Sequence, residues 1–180
     1  VRNIWVRNCS FLGTDMGLRF KSTRGRGGLV ENIYIQDIFM ADIATDAIGF
    51  NLFYSGAAPT LEKMLEMPAA EVSEETPRFE RIFIRNVFCR GAGRAVSMQG
   101  LPEMPIRDVQ IKNTVISARS GGFFADVERL HLSEVSVIPD SGADLAFYNS
   151  WSILLERPKP SVSKESFLVL AGSKTKEIRI

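Results

Sequence analysis

The chain has 180 residues, 45% of them hydrophobic, and its 22 basic and 21 acidic side chains leave a net charge of +1. That length suits one domain with a sizeable core, and the balanced charge argues against a nonspecific nucleic-acid binder. No apolar run is long enough to span a membrane as a helix, and no signal peptide is visible.

The first predicted element opens a pattern that returns. Val1 to Phe11, Val30 to Met40, Phe79 to Cys89, Ile106 to Ile116 and Val127 to Val137 share an eleven-residue pattern with apolar residues at positions 1, 4, 6 and 11. Position 8 is Asn8, Asp37, Asn86, Asn113 and Glu134, polar in every copy. Apolar residues at positions 4 and 6 with polar ones between them predict a strand with one buried face. The polar position 8 predicts a corner, because Asn and Asp tolerate left-handed backbone. A third apolar alternation follows in the early copies, at Leu18 and Phe20, Ile48 and Phe50, and Val96 and Met98.

Three short strands per unit, repeating every few tens of residues, predict an all-β fold: a right-handed parallel β-helix of about six coils in a single domain, residues 1–180. β-branched and aromatic residues at alternating positions count against a helical repeat, and no six-residue period supports a left-handed hexapeptide helix. Between the second and third copies lies an insertion, roughly Ser55 to Arg78, with three prolines and an acidic run. Its Leu61–Leu65 segment suits a short helix, and the insertion reads either as a wall of a functional face or as a plain surface flap. Trp151 to Ser163 reads as an irregular stretch covering the far end, and Phe167 to Ile180 as one degenerate coil. The chain opens on Val1 within a strand pattern, without a cap, which suggests the C-terminal portion of a longer β-helix. Cys9 and Cys89 fall two coils apart, about 9.6 Å, too far for a disulfide; both read as buried thiols. One histidine and no CxxC pair predict no metal site and no cofactor.

The densest polar feature runs from Gly17 to Gly28. On a strand, Leu18 and Phe20 face the core while Arg19 and Lys21 project from the outer face, with Arg24 and Arg26 following in a glycine-rich turn. Four cations within eight residues point to an anionic ligand, a carboxylate above all, since Arg binds one bidentately and Lys adds a point charge. A solvated charged corner is the bland alternative. The register of the next coil puts Gly49 beside Arg19 and Asn51 beside Lys21, and Tyr54 closes that strand with a ring and a hydroxyl, as a sugar subsite would. Gly25, Gly27 and Gly28 match neither a dinucleotide fingerprint nor a Walker loop, which makes phosphate the weaker choice.

The run Gly17 to Gly28, with Val30-Glu31-Asn32-Ile33 after it, resembles the C-terminal half of polygalacturonase-like enzymes, glycoside hydrolase family twenty-eight. The Leu101 to Pro105 turn and the Ala47 to Tyr54 strand resemble members from gut-type Bacteroidota. The resemblance spans most of the chain. It implies a right-handed parallel β-helix that hydrolyses galacturonate-containing pectin with inversion, in the periplasm or outside the cell. Arg19-Phe20-Lys21 is similar to the family's Arg-Ile-Lys motif, whose cations grip a galacturonate carboxylate, and Tyr54 is similar to its downstream tyrosine. The resemblance implies Arg19, Lys21 and Tyr54 as substrate-binding residues, to which the charge cluster adds Arg24 and Arg26 as helpers and the coil register adds Asn51; the implied partner is an acidic polysaccharide, galacturonan or rhamnogalacturonan.

One departure limits the carry-over. The family's Asn-Thr-Asp, Asp-Asp and Gly-His-Gly motifs are not in this sequence, and Gly13-Thr14-Asp15, four residues before Arg19, stands in the wrong place for the first. The resemblance therefore predicts no catalytic residue in this chain; the acid and base would lie in missing N-terminal coils. His131 occupies position 5, the column of Trp5, Tyr34, Phe83 and Gln110, and reads as an outward ladder residue on another sheet. The rival from a different class is a non-catalytic β-helix, such as an adhesin or a carbohydrate-binding module. A pectate lyase would want a calcium-binding carboxylate cluster, which the sequence does not display.

Overall fold

In the computed structural model, residues 1–54, 59–162 and 166–180 are described; the start of the predicted insertion and the end of the predicted irregular stretch fall outside them. The eleven-residue copies form the long strands β1 (Arg2–Leu12), β3 (Leu29–Asn51), β4 (Arg78–Gln99), β5 (Ile106–Ala125) and β6 (Val127–Tyr148). They are joined by β2 (Leu18–Lys21), β7 (Trp151–Glu156), β8 (Leu168–Ala171) and β9 (Lys176–Arg179). Every strand pair is parallel, in the order β1-β3-β4-β5-β6-β7-β9, with β2 beside β3 and β8 beside β6. The fold is a parallel β-helix.

The register is that of the repeat. Ile4, Ile33, Ile82, Val109 and Leu130 stand in one column, and all but Ile4, on the uncovered first coil, are buried. Phenylalanines fill the third corner of the core: Phe20 stacks on Phe50 at 4.2 Å, and Phe124 on Phe147 at 4.6 Å.

Position 8 turns the chain as its residue types predict, with φ of +55° at Asn8, +58° at Asp37, +55° at Asn86, +48° at Asn113 and +55° at Glu134. A second left-handed corner at position 3 escapes the sequence reading: Asn3, Asn32, Arg81, Asp108 and Arg129 all have φ between +50° and +57°. Arg81 is held there by ion pairs to Glu31 and Glu80, two buried carboxylates on the neighbouring column, and Arg107 Nη2 reaches Glu80 at 2.7 Å. These pairs offset the steric cost of a non-glycine residue in that region.

Three expectations are corrected. Trp151–Glu156 is a strand, β7, paired with β6, and not an irregular cover. Phe167 to Ile180 is not one coil: β8 completes the sixth coil against β6, while β9 pairs with β7 and opens the next. Cys9 is half-buried, because no coil covers β1 from the other side, whereas Cys89 is buried. Both thiols are free. Burial, assisted by Asp42, pushes the Cys89 thiol up to about 11.

The insertion carries helix α1 (Leu61–Glu66), capped by Thr60, whose hydroxyl accepts from the Lys63 amide. It is fastened at separated coils. Glu75 O accepts from the Gly25 and Gly27 amides at 3.1 and 2.9 Å, the Ala70 amide donates to Glu103, and Leu65 O accepts from Asn149 Nδ2. Gly27 has φ +57°, and a Cβ there would stand 2.1 Å from Glu74 O, so only glycine fits this fastening. The insertion thus runs along the stack beside the C-terminal ends of the third-face strands. No helix among the described residues is long and apolar enough to cross a membrane.

Candidate functional site

The site begins with four residues of β2. Leu18 is buried and Phe20 stacks on Phe50, so the pleat sends Arg19 and Lys21 outward together. Their register partners on β3 are Gly49 and Asn51. Beyond β3 the chain reverses: Asn51 Oδ1 accepts from the Phe53 amide at 2.6 Å, and the Tyr54 amide donates to Ser22 O at 3.1 Å. This short turn folds Tyr54 back over the two cations. Arg19 Nη2 donates to Tyr54 Oη at 2.8 Å, and Lys21 Nζ lies 4.2 Å from the ring centroid. Lys21, with Arg19 beside it, holds the Tyr54 phenol below its ordinary value. The cleft that results is small, about 80 Å³, and Met16, Asp46, Ser97 and Gln99 complete its lining.

Arg19, Lys21, Asn51 and Tyr54 therefore come together as their spacing predicts. Arg24 does not join them. Its guanidinium forks onto Glu103, Nε to Oε1 at 2.7 Å and Nη2 to Oε2 at 2.9 Å, beside the Met67 sulfur. Burial works to raise the Glu103 carboxyl, but hydrogen bonds from Arg24 and from the Ala70 amide outweigh it and hold the group below its usual range. Arg24 is a fastening for the insertion. Arg26 is exposed in the glycine turn and has no ion-pair partner among the described residues.

Ser97 and Gln99 occupy the same column positions two coils on from Arg19 and Lys21, a relation the repeat offers but that chemistry-led reading passes over. Gln99 Nε2 donates to Ser97 Oγ at 3.1 Å, and Gln99 Oε1 is buried without a partner among the described residues.

The aromatic column stands apart from this cleft. Trp5 stacks on Tyr34 at 4.1 Å and Tyr34 on Phe83 at 5.1 Å, lining a groove of about 340 Å³ that shares no residue with the cleft around Arg19. Gln110 and His131 continue the column, and His131 Nε2 meets Glu156 at 3.0 Å. Among the described residues, no group of three or more His, Cys, Asp and Glu side chains is placed to hold a metal ion.

Two outward cations thus lie under a tyrosine on one face of a parallel β-helix. The model for Glycosyl hydrolases family 28 matches residues 1–120. The chain belongs to this family. No curated protein and no solved structure matches it. For a glycosyl hydrolase of family 28, the matched region contains β2, the Tyr54 turn, the insertion and Ser97 to Gln99, and so every residue lining the cleft. The polymer such an enzyme acts on is a polysaccharide.

Proposed function

We propose that this chain supplies the carboxylate-binding half of a subsite in a pectin-degrading, polygalacturonase-like hydrolase that acts outside the cytoplasm. The observation that carries the reading is the convergence of Arg19 and Lys21 beneath Tyr54. Arg19 offers a planar fork and Lys21 a compact charge to a galacturonate carboxylate, while Tyr54 presents a ring edge and a hydroxyl to the sugar. To admit that carboxylate, Tyr54 gives up its bond to Arg19.

Inverting hydrolysis needs a general acid and a general base on opposite faces of the sugar. In this reading both come from further coils stacked on β1. The open side of β1 supports it: Val1, Ile4 and Trp5 are exposed there, and a cavity of about 400 Å³ lined by Val6, Phe11, Leu18 and Phe20 opens the core at that end. Arg24 is left out of the binding set because Glu103 engages it.

The test is binding of trigalacturonate and of its neutral, reduced analogue. Lys21→Met should weaken the acidic ligand by roughly 1.5–3 kcal/mol, the worth of a hydrogen bond to a charged group, and leave the neutral one nearly unchanged. Arg19→Lys should also weaken it, since an ammonium cannot reproduce the fork. The chain alone should release no reducing sugar from polygalacturonate. Equal losses on charged and neutral ligands would leave a non-catalytic β-helix as the better description.

A further inference from the structure

Asp46 enters the cleft without a hydrogen-bond partner among the described residues. Between Ile43 and Asp46 the register of β3 on β4 slips by one residue, so three steps on β3 match two on β4. The slip falls at the corner just before Asp46, which is half-buried and lines the cleft with Gly49, Asn51 and Tyr54. There its Oδ2 lies 3.5 Å from the place a Cβ on Gly49 would take, directly over the glycine floor beside Arg19. A side chain at residue 49 would therefore crowd the carboxylate and Met16 together.

The Asp46 carboxylate makes no hydrogen bond and no ion pair within 4.0 Å among the described residues. Arg94, its register partner, lays its guanidinium over the Phe123 ring, 5.5 Å from the centroid. Burial raises the Asp46 carboxyl above its ordinary value, Arg94 opposes this and Asp15 adds to it. A half-buried carboxyl with free lone pairs, in a cleft that already holds two cations, is a group in want of donors.

A uronate ring carries its carboxylate on one edge and hydroxyl donors on another. We propose that Asp46 accepts hydrogen bonds from the ring hydroxyls of the sugar whose carboxylate Arg19 and Lys21 hold, so that the cleft selects uronates with unesterified hydroxyls. The inference rests on the uronate reading of the cations and adds a second determinant to it. An acetylated hydroxyl has no hydrogen to give, and would leave the carboxylate desolvated and unpaired, the kind of loss by which polar sites reject analogues.

The experiment titrates trigalacturonate and its O-acetylated form into the chain and into Asp46→Ala, Asp46→Asn and Lys21→Met. The unaltered chain should prefer the free-hydroxyl form by about tenfold or more, the loss expected for one hydrogen bond to a charged group. Asp46→Ala should bring that preference close to one by weakening the free form alone. Asp46→Asn is isosteric, serves if the alanine variant fails to fold, and should show an intermediate preference because its amide oxygen still accepts. Lys21→Met should weaken both forms alike. If the Asp46 variants keep the full preference while Lys21→Met weakens both ligands, the role of Asp46 is refuted and the cation reading stands. If neither form binds the unaltered chain, both fail together.

Discussion

Asp126 shows how far a single residue can be set against its own charge. It follows β5 at a corner with φ +50°, its amide donates to Tyr148 O at 3.0 Å, and the residue is 2% exposed with Oδ1 unbonded among the described residues. Burial pushes its carboxyl up to about 7, with Lys174 opposing and Glu103 adding. A raised carboxyl favours the fold while protonated: the contribution is complete below about pH 4, the unfolded value, and is lost as pH rises to about 7. The interval, from 3.8 to about 7, corresponds to about 4 kcal/mol as an upper order of magnitude. Asp126→Asn keeps the shape and tolerates the left-handed corner, so it should stabilise the chain at pH 8 and change little at pH 4. Urea midpoints across that range are the measurement, and identical pH slopes for the two proteins would contradict the assignment. Residues of the cleft were more legible than this one. Arg19, Lys21, Asn51 and Tyr54 follow from strand alternation plus coil register, both visible in sequence. Arg24 shares their composition but not their place, because its partner Glu103 lies 79 residues on, in a turn no periodicity announces. Asp46 was hidden because it follows a one-residue slip at a corner that the repeat does not announce.

At the scale of elements, the insertion is the part that departs from the repeat, and its attachments define what it does. The Arg24–Glu103 fork is unevenly buried, with the arginine side chain 39% exposed and the carboxylate only 2%. Removing the arginine leaves a desolvated carboxylate whose remaining donors are backbone amides, among them that of Ala70. Arg24→Met should therefore cost about 1–3 kcal/mol of stability, discounted toward the lower end by the exposure of Arg24. It should also make the insertion, and α1 with it, the first segment cut in limited proteolysis, while the coils stay resistant. Glu103→Gln leaves no buried charge and keeps one oxygen that can accept from both the Ala70 amide and Arg24 Nη2, losing only the bond from Arg24 Nε, so it should be milder. Cutting that begins in the coils would show that the fork merely decorates the surface. The helix itself was readable from Leu61 to Leu65, as were the corners at position 8, because Asn and Asp there carry their own conformational preference. The corners at position 3 were not, since Arg81 and Arg129 occupy two of them and are held by ion pairs instead of by propensity. The sixth copy stayed hidden for a related reason. Ser150 stands where the pattern wants an apolar residue, and its hydroxyl satisfies the Val127 amide and Tyr148 O inside the core.

For the whole molecule, the strands of each coil pair only with those of adjacent coils, with the insertion and a few side chains bridging further, so stability should be distributed along the stack largely as a sum of coil and interface contributions. β4 and β5 are paired along their lengths on both sides, whereas β1 has β3 on one side and nothing described on the other. At the far end β7 and β9 are paired only over short stretches. Hydrogen exchange should then be slowest in β4 and β5 and grow faster outward, with β1 opening well before the global transition. The same gradient bears on function, because the cations sit on β2, in the first coil, where the stack is least supported. A coil stacked on β1 would cover Val1, Ile4 and the free face of Trp5, and would steady Arg19 and Lys21 from the side opposite Gly49 and Asn51. Exchange measured on the chain by itself and on a version extended by such coils should accordingly differ most in β1 and β2, and hardly at all beyond β5. If β1 exchanges as slowly as β5 in the chain alone, the stack is cooperative from end to end and the first coil needs no cover. The proposal that the acid and base arrive on coils packed against β1 would then lose its structural support.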